Sequence, residues 1–124
     1  MAADSNLGEE FARALGAKDF ERVAALLHPE VRVRGLTPRR SWEANDPRTA
    51  VEEVFAVWFD DSRQIDEIVS VESGSFADRR RISYVFRGQR PEGEFQVEQQ
   101  AYFTERDGRI DWIHILCSGP RPID

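Results

Sequence analysis

The chain has 124 residues, 40% of them hydrophobic and 32% charged, with a formal net charge of −6 at pH 7. A chain of that length folds as one domain, read here as residues 1–124, and can bury about two-thirds of its unfolded surface in a single core. The acidic balance argues against non-specific nucleic-acid binding and against docking to an anionic membrane, since both need a net basic face.

Met1 to Asn6 lacks the basic start and apolar run of a signal peptide. A first helix is predicted from Asn6, whose side chain can cap free amides while Glu9 supplies the return three residues later. Phe11 and Leu15 then share a face, and Gly16 weakens the end. Asp19 caps a second helix in which Phe20, Val23, Ala24 and Leu27 keep the helical period. His28-Pro29 ends it, because the residue before a proline avoids the helical region. Val31, Val33 and Gly35 alternate with Arg32 and Arg34 as a half-buried strand. Trp42 falls in the loop that follows, as a lid over a mouth or as an apolar plug. Asp46-Pro47 starts a third helix, a capping side chain followed by proline at the first helical position. Its buried stripe is Val51, Val54, Phe55 and Trp58, and Asp60-Asp61-Ser62 stops it.

Strands are expected over Ile65–Glu72, Arg81–Arg87, Phe95–Phe103 and Ile110–Cys117. The tail, Ser118-Gly119-Pro120-Arg121-Pro122, is not expected to continue a ladder, because proline has no amide hydrogen. The one cysteine, Cys117, excludes an internal disulfide and suits a reducing compartment. No stretch approaches the roughly 20 apolar residues of a membrane-spanning helix. The cytoplasm is the expected location.

The last hairpin decides which side chains face inward. A two-residue turn at Asp107-Gly108 pairs Phe103 with Trp112, Ala101 with His114 and Gln99 with Leu116. A three-residue turn with Gly108 left-handed pairs Ala101 with Ile113, Gln99 with Ile115 and Val97 with Cys117. The second is favoured, because it makes one face continuously apolar (Phe95, Val97, Ala101, Phe103, Ile113, Ile115) with Gln99 and Cys117 as interruptions.

The order helix, helix, strand, helix, then strands resembles the nuclear transport factor 2-like superfamily, in its SnoaL-like and ketosteroid isomerase-like branch. Ala17-Lys18-Asp19-Phe20-Glu21, Leu27-His28-Pro29-Glu30-Val31, the capped helix ending in Trp58-Phe59, and Asp107-Gly108-Arg109-Ile110 carry the likeness. It implies an α+β fold: a cone-shaped, curved antiparallel sheet with three helices on its concave face and an open end that takes small apolar ligands. Many such proteins are homodimers. Steroid isomerases of this fold use a carboxylate on the first strand, a tyrosine from helix one and a protonated acid on a later strand. Those places fall here on Gly35, Phe11 and Gln99, so ketosteroid isomerase chemistry is not expected. Scytalone dehydratase-like members use inward histidines; of the two histidines here, His28 reads as a surface cap, and His114 faces outward in the favoured register of the last hairpin. Nor can the aspartate–arginine network of limonene epoxide hydrolase-like members be placed, because Asp66 and Asp111 lack an assignable arginine.

The expected site is thus a pocket for a small, mostly apolar molecule lined by Trp42, Trp58, Tyr84, Phe86, Gln99, Ile115 and Cys117. If there is a reaction, it is cofactor-free acid–base chemistry (isomerisation, cyclisation, dehydration) with Tyr84 and the mouth-side Glu43 as candidates. Gln99 in an apolar wall needs partners, since an unpaired buried amide costs about 1–3 kcal/mol. Tyr84, water or a ligand can supply them. Cys117 reads as a small buried residue with nothing to lower its pKa. Arg39 and Arg40 could meet a ligand carboxylate, although surface arginines often contribute little. No metal-ligand cluster or phosphate-cradling glycine loop is present. Tyr102, Trp112 and His114 on the outer face suit a homodimer interface or a solvated sheet face. The competing reading is a non-catalytic dimeric scaffold whose cone is filled by its own side chains. An open cavity with Gln99 on its wall favours the ligand site; a closed interior with Gln99 satisfied by protein favours the scaffold.

Overall fold

In the computed structural model, which describes residues 7–123, the apolar stripe of the first helix sets the whole arrangement. Helix α1, Leu7–Gly16, buries Leu7, Phe11, Ala12, Ala14 and Leu15. The Asn6 cap lies outside the described residues. Lys18 takes a positive φ of 58° and turns the chain, and Asp19 then caps α2, Phe20–Leu26, by accepting from the Arg22 amide at 3.1 Å. This helix stops earlier than the proline rule predicts. Leu27 is already extended and buried as the first residue of β1, Leu27–Thr37, where it pairs with Ile110. Tertiary pairing, with burial of Leu27, overrides the local periodicity there.

Trp42 is not in a loop. It sits opposite Gly35 on β2, Arg40–Ala44, a short edge strand antiparallel to β1. The flanking polar and charged residues hid the strand, and cross-strand contacts make it: the Trp42 indole donates to Thr37 Oγ1 at 3.0 Å, and the Arg40 guanidinium lies 3.7 Å above the ring. Helix α3 runs through Pro47–Thr49, a wider π-type turn at Ala50–Phe55, and Ala56–Trp58. Asp46 starts it as expected, accepting from the Thr49 amide at 2.8 Å and the Thr49 hydroxyl at 2.9 Å. The helix buries Ala50, Val54, Phe55 and Trp58.

Four long strands follow: β3 (Gln64–Phe76), β4 (Arg79–Arg90), β5 (Gly93–Arg106) and β6 (Arg109–Cys117). The sheet order is β2-β1-β6-β5-β4-β3. It is mixed rather than antiparallel throughout, because β1 lies parallel to β6. Bulges in the β3–β4, β5–β6 and β1–β6 pairings bend the sheet around the helices. At one of them Gly88 comes so close to the Gln64 carbonyl that a Cβ would sit 1.7 Å from its oxygen.

The tail also returns to the sheet, contrary to expectation. Residues Arg121–Pro122 form β7, pairing with Gln96 and Phe95 in the lane that β6 vacates. The prolines donate nothing, but Ser118 and Ile123 supply amides to the Glu98 and Glu94 carbonyls at 2.9 and 3.1 Å. The last hairpin follows neither predicted register. Asp107 (φ 55°) and Gly108 (φ 76°) form a two-residue turn with both positions left-handed, the geometry that matches strand twist. Asp111 is then the extra residue of a bulge, so Ala101 pairs with Ile115, Phe103 with Ile113 and Gln99 with Cys117. The bulge restores the face that a plain two-residue turn would have inverted. Ile110, Ile113 and Ile115 are all buried, and His114 points outward.

Candidate functional site

Alternation along β4 and β5 puts Ile82, Tyr84 and Phe86 on the same inner face as Phe95, Val97, Gln99, Ala101 and Phe103. Near α1 this face is packed solid. Phe11 meets Phe55 and Tyr84 edge-on at 5.6 and 6.4 Å. Towards the end of α3 the packing stops, leaving a half-open cavity of about 360 Å³. Four elements bound it: the β1–β2 turn (Thr37 to Arg39, with Trp42), the end of α3 and the turn after it (Trp58, Phe59, Arg63), β5 (Phe95, Val97, Gln99) and the β6–β7 link (Cys117 to Pro120). Trp42 and Trp58 meet edge-on at 5.9 Å.

The polar groups of this lining sort into two kinds. Its hydroxyl and amide oxygens are already engaged. Thr37 Oγ1 accepts from Trp42. Ser118 Oγ accepts from the Glu98 amide at 2.9 Å and donates to the Gly119 carbonyl at 2.7 Å. Gln99 Oε1 accepts from the Tyr84 hydroxyl at 2.6 Å. The N–H donors are different. Gln99 Nε2 and the Trp58 indole Nε1 are buried and have no protein partner. Gln99 (3% exposed) and Trp58 (5% exposed) form the inner wall. A buried donor left unpaired costs about 1–3 kcal/mol. An acceptor reaching this wall recovers that cost.

Tyr84 sets the polarity of the wall without lining it. Burial, then the neighbouring Cys117, pushes its phenol well above the usual tyrosine pKa. The hydroxyl therefore stays a donor and holds Gln99 by its oxygen, leaving the NH₂ as the free end. Cys117 sits opposite Gln99 across the strands, and its sulfur accepts from the Gly119 amide at 3.3 Å.

The structure brings Trp42, Trp58, Gln99 and Cys117 together on one cavity. It leaves out the other expected members. Phe86 is fully buried behind the wall, stacked on Tyr84 at 5.1 Å and edge-on to Phe59 at 5.8 Å. Ile115 backs a separate groove on the outer face. Glu43 also lies on that groove, with its side chain 68% exposed and paired to Arg34 at 3.5 Å. Among the described residues, no carboxylate or imidazole lines the cavity. His114 lies outside, stacked on Trp112 at 4.1 Å, and burial followed by Arg34 and Arg79 lowers its pKa. His28 accepts from the Glu30 amide with Nδ1, at the far end of β1. Asp111 does find an arginine, Arg106 at 3.8 Å, but at the exposed hairpin end. Among the described residues, no three histidine, cysteine, aspartate or glutamate side chains group as metal ligands.

The places of the steroid isomerase groups are physically occupied by other things. A Cβ on Gly35 would lie 2.7 Å from the Trp58 ring, so Trp58 fills the space where a base would project. Phe11 offers no hydroxyl, and Gln99 is an amide. Sequence reasoning missed Arg63, which donates from Nη1 to the Trp58 carbonyl at 2.6 Å and lines the cavity. A turn residue after Asp60-Asp61-Ser62 carries no periodic signal. Its position depends on Lys18, which holds the Arg63 and Asp60 carbonyls from 45 and 42 residues away.

No protein-family profile matches the chain, and no curated protein matches it in sequence. Solved structures do match in shape. One is a protein provisionally named an isomerase, from Bacillus subtilis, with a TM-score of 0.77, 10% identity, and coverage of 94% of this chain and 87% of that one. A second is provisionally named a polyketide cyclase, from Pseudomonas putida, with a TM-score of 0.68, 15% identity and coverage of 90% and 89%. A third is an LEH-like epoxide hydrolase from M. tuberculosis, with a TM-score of 0.67, 15% identity and coverage of 95% and 84%. At such identities the likeness is one of fold. The shared fold is three helices held in a curved mixed sheet, the α+β arrangement that the sequence resemblance implied.

Proposed function

We propose that the cavity binds a small, mostly apolar molecule carrying an oxygen acceptor. The observation behind this reading is the pair of buried, unpartnered N–H groups, Gln99 Nε2 and Trp58 Nε1, on the inner wall of a half-open apolar cavity. A scaffold with a self-filled cone has no use for such a wall. Its donors would cost stability without return. The closed part of the cone near α1 is filled in the way a scaffold requires, and the cavity is not.

The same lining argues for holding rather than deprotonating. It offers hydrogen-bond donors to a carbonyl or phenolate oxygen and, among the described residues, no carboxylate or imidazole to take a proton. Tyr84 and Glu43 stand away from it, so acid–base isomerase, cyclase or dehydratase chemistry would need a base from the substrate or from Cys117. The solved structures named as isomerase and polyketide cyclase are consistent with such chemistry on this fold. A homodimer through the outer sheet face is part of the proposal. Leu36, Phe76 and Leu116 are 53%, 64% and 50% exposed there or beside it, next to Tyr102, Trp112 and His114, a larger apolar surface than isolated residues need. Among the described residues no helix is long and apolar enough to cross a membrane. The cytoplasm remains the proposed location, on the grounds of a single free cysteine.

Calorimetric titration with 2-naphthamide, a neutral two-ring amide, tests the site. The wild type is expected to bind it, and Gln99→Leu to weaken binding about three- to tenfold, one hydrogen bond's worth. Trp58→Phe removes the second donor alone and should act similarly. Unchanged affinity in both variants would remove this wall from any ligand site. Native mass spectrometry of the same preparation reads the oligomeric state and any retained small molecule.

A further inference from the structure

We propose that the ligand is an anion: a flat apolar body ending in a carboxylate, gripped at the cavity mouth by Arg39 and Arg63. This rests on the reading of the cavity as a ligand site and adds the charge of its occupant. Three observations support it.

The first is charge balance. The chain is acidic overall, with 23 Asp and Glu against 17 Lys and Arg. Among the described residues, eight arginines stand in ion pairs with carboxylates. Among the described residues, the two arginines that line the cavity have no ion-pair partner, and no carboxylate shares the lining with them. The Ser62 hydrogen bonds, and then the Arg63 charge, hold the Asp60 carboxyl below its ordinary pKa, but that carboxylate lies outside the lining, so the cavity itself faces two cations.

The second is preorganisation. Arg63 is not a free surface side chain. Its Nη1 donates to the Trp58 carbonyl at 2.6 Å, its own amide donates to the Asp60 carbonyl at 3.0 Å, and its carbonyl accepts from Lys18. The Asp60 carboxylate accepts from the Ser62 amide and hydroxyl at 2.9 and 2.5 Å, so it acts on Arg63 only through its charge. The remaining N–H groups of Arg63 stay available in a fixed fork, the geometry that suits a carboxylate. Arg39 comes from a different element, the tip of the β1–β2 hairpin, and makes the grip two-sided.

The third is polarity along the cavity. Its inner wall presents neutral donors, Gln99 and Trp58, and its walls are Trp42, Phe59, Phe95 and Val97. Its charged groups are both cations. A molecule that fits this sequence has an acceptor oxygen at one end, a planar apolar middle and an anionic oxygen pair at the other. A volume of about 360 Å³ is at the lower end of small-molecule sites, so a body of two fused rings is appropriate.

The test compares 6-hydroxy-2-naphthoate with 6-hydroxy-2-naphthamide, which share the same rings and the same acceptor oxygen, by titration of the full chain at low ionic strength. Naphthoate is expected to bind about tenfold tighter, with the advantage shrinking as salt is added. Arg39→Gln combined with Arg63→Gln should bring naphthoate down to the level of the amide and leave the amide unchanged. Arg39→Gln alone touches an exposed side chain with no hydrogen bond among the described residues, so it tests the grip even if the Arg63 variant unfolds. Equal affinity for the two compounds would overturn the anion inference and leave the apolar site standing. Binding of neither compound would overturn both. A parallel loss of both compounds in the double variant would show that the arginines serve the fold and would end the proposal.

Discussion

The cone has two halves built from the same strands, and they differ in what the helices do above them. Over one half, α1 lies against β3 and β4 so closely that a Cβ on Gly8 would come 3.1 Å from Ile82 and one on Gly16 would come 2.9 Å from both Ile68 and Phe86. Over the other half, α3 ends at Trp58, and the chain turns away through Asp60 to Arg63. The strands beneath keep alternating regardless, so in the uncovered half the inner face, still buried from bulk solvent, lines a cavity. The lesson is that a pocket in this fold needs no special strand sequence. Here it forms where α3 stops, with a polar residue, Gln99, on the wall left open.

Mutations separate the halves, beginning with the largest effect. Phe11→Ala empties the closed half and is expected to cost about 3–5 kcal/mol in chemical denaturation, with naphthamide affinity unchanged at temperatures where the variant stays folded. A stability loss below about 1 kcal/mol would mean that the closed half is looser than its packing indicates.

Gly35→Asp rebuilds a carboxylate at the steroid isomerase position and forces it against Trp58. Overpacking of this kind costs about 1–3 kcal/mol, before the cost of burying the charge. Combined with Trp58→Leu, the loss should be smaller than the sum of the two single losses, since the second change makes the room that the first needs. Strict additivity in a double-mutant cycle would show that the aspartate turns away from the ring.

Tyr84→Phe deletes the donor that holds Gln99 Oε1 and is expected to cost about 1–3 kcal/mol. Gln99→Leu alone strands the Tyr84 hydroxyl at a similar cost. The pair Tyr84→Phe with Gln99→Leu removes both polar groups and should be closer to wild type in stability than either single change, while binding remains weak. A double variant as unstable as the sum of the singles would break the link between these residues.

The smallest effect lies outside both halves. Burial, Arg34 and Arg79 lower the His114 pKa below its ordinary 6.5. The unfolded chain therefore takes up this proton more readily than the folded one. Stability from this source is full above pH 6.5 and is lost as the pH falls from there towards the lowered folded value. The loss is small because the ring is largely exposed. NMR titration should place His114 below 6.5, and His114→Gln should flatten the acid side of the stability profile slightly. A titration at or above 6.5 would contradict the packing of Trp112 and the two arginines around it.

Much of this architecture is local chemistry and was readable from the residues. Asp19 and Asp46 cap their helices through amides three residues on, an interaction that spans one turn. Alternation placed Tyr84, Phe95, Val97 and Gln99 on one face, because successive side chains in a strand point to opposite sides. The odd spacing of Ile110, Ile113 and Ile115, all buried, also contained the bulge at Asp111, although only the assembled hairpin showed it. Gln99 reads as an amide in an apolar wall, and it lines the cavity.

What depended on distant partners was not readable. Leu27 left its helix because Ile110 pairs with it, Trp42 became a strand residue opposite Gly35, and Arg121 and Pro122 returned to β5. Tyr84 and Phe86, on the expected face, lie behind the wall rather than on it, since depth within a face is set by which helix covers it. Arg63 reached the cavity because Lys18, far away in sequence, holds its turn. Periodicity and capping act over one turn or one pleat, so the order of residues alone determined elements and faces. The cavity, its orphaned donors and its arginines arise where elements end against one another, and only the folded chain decides that.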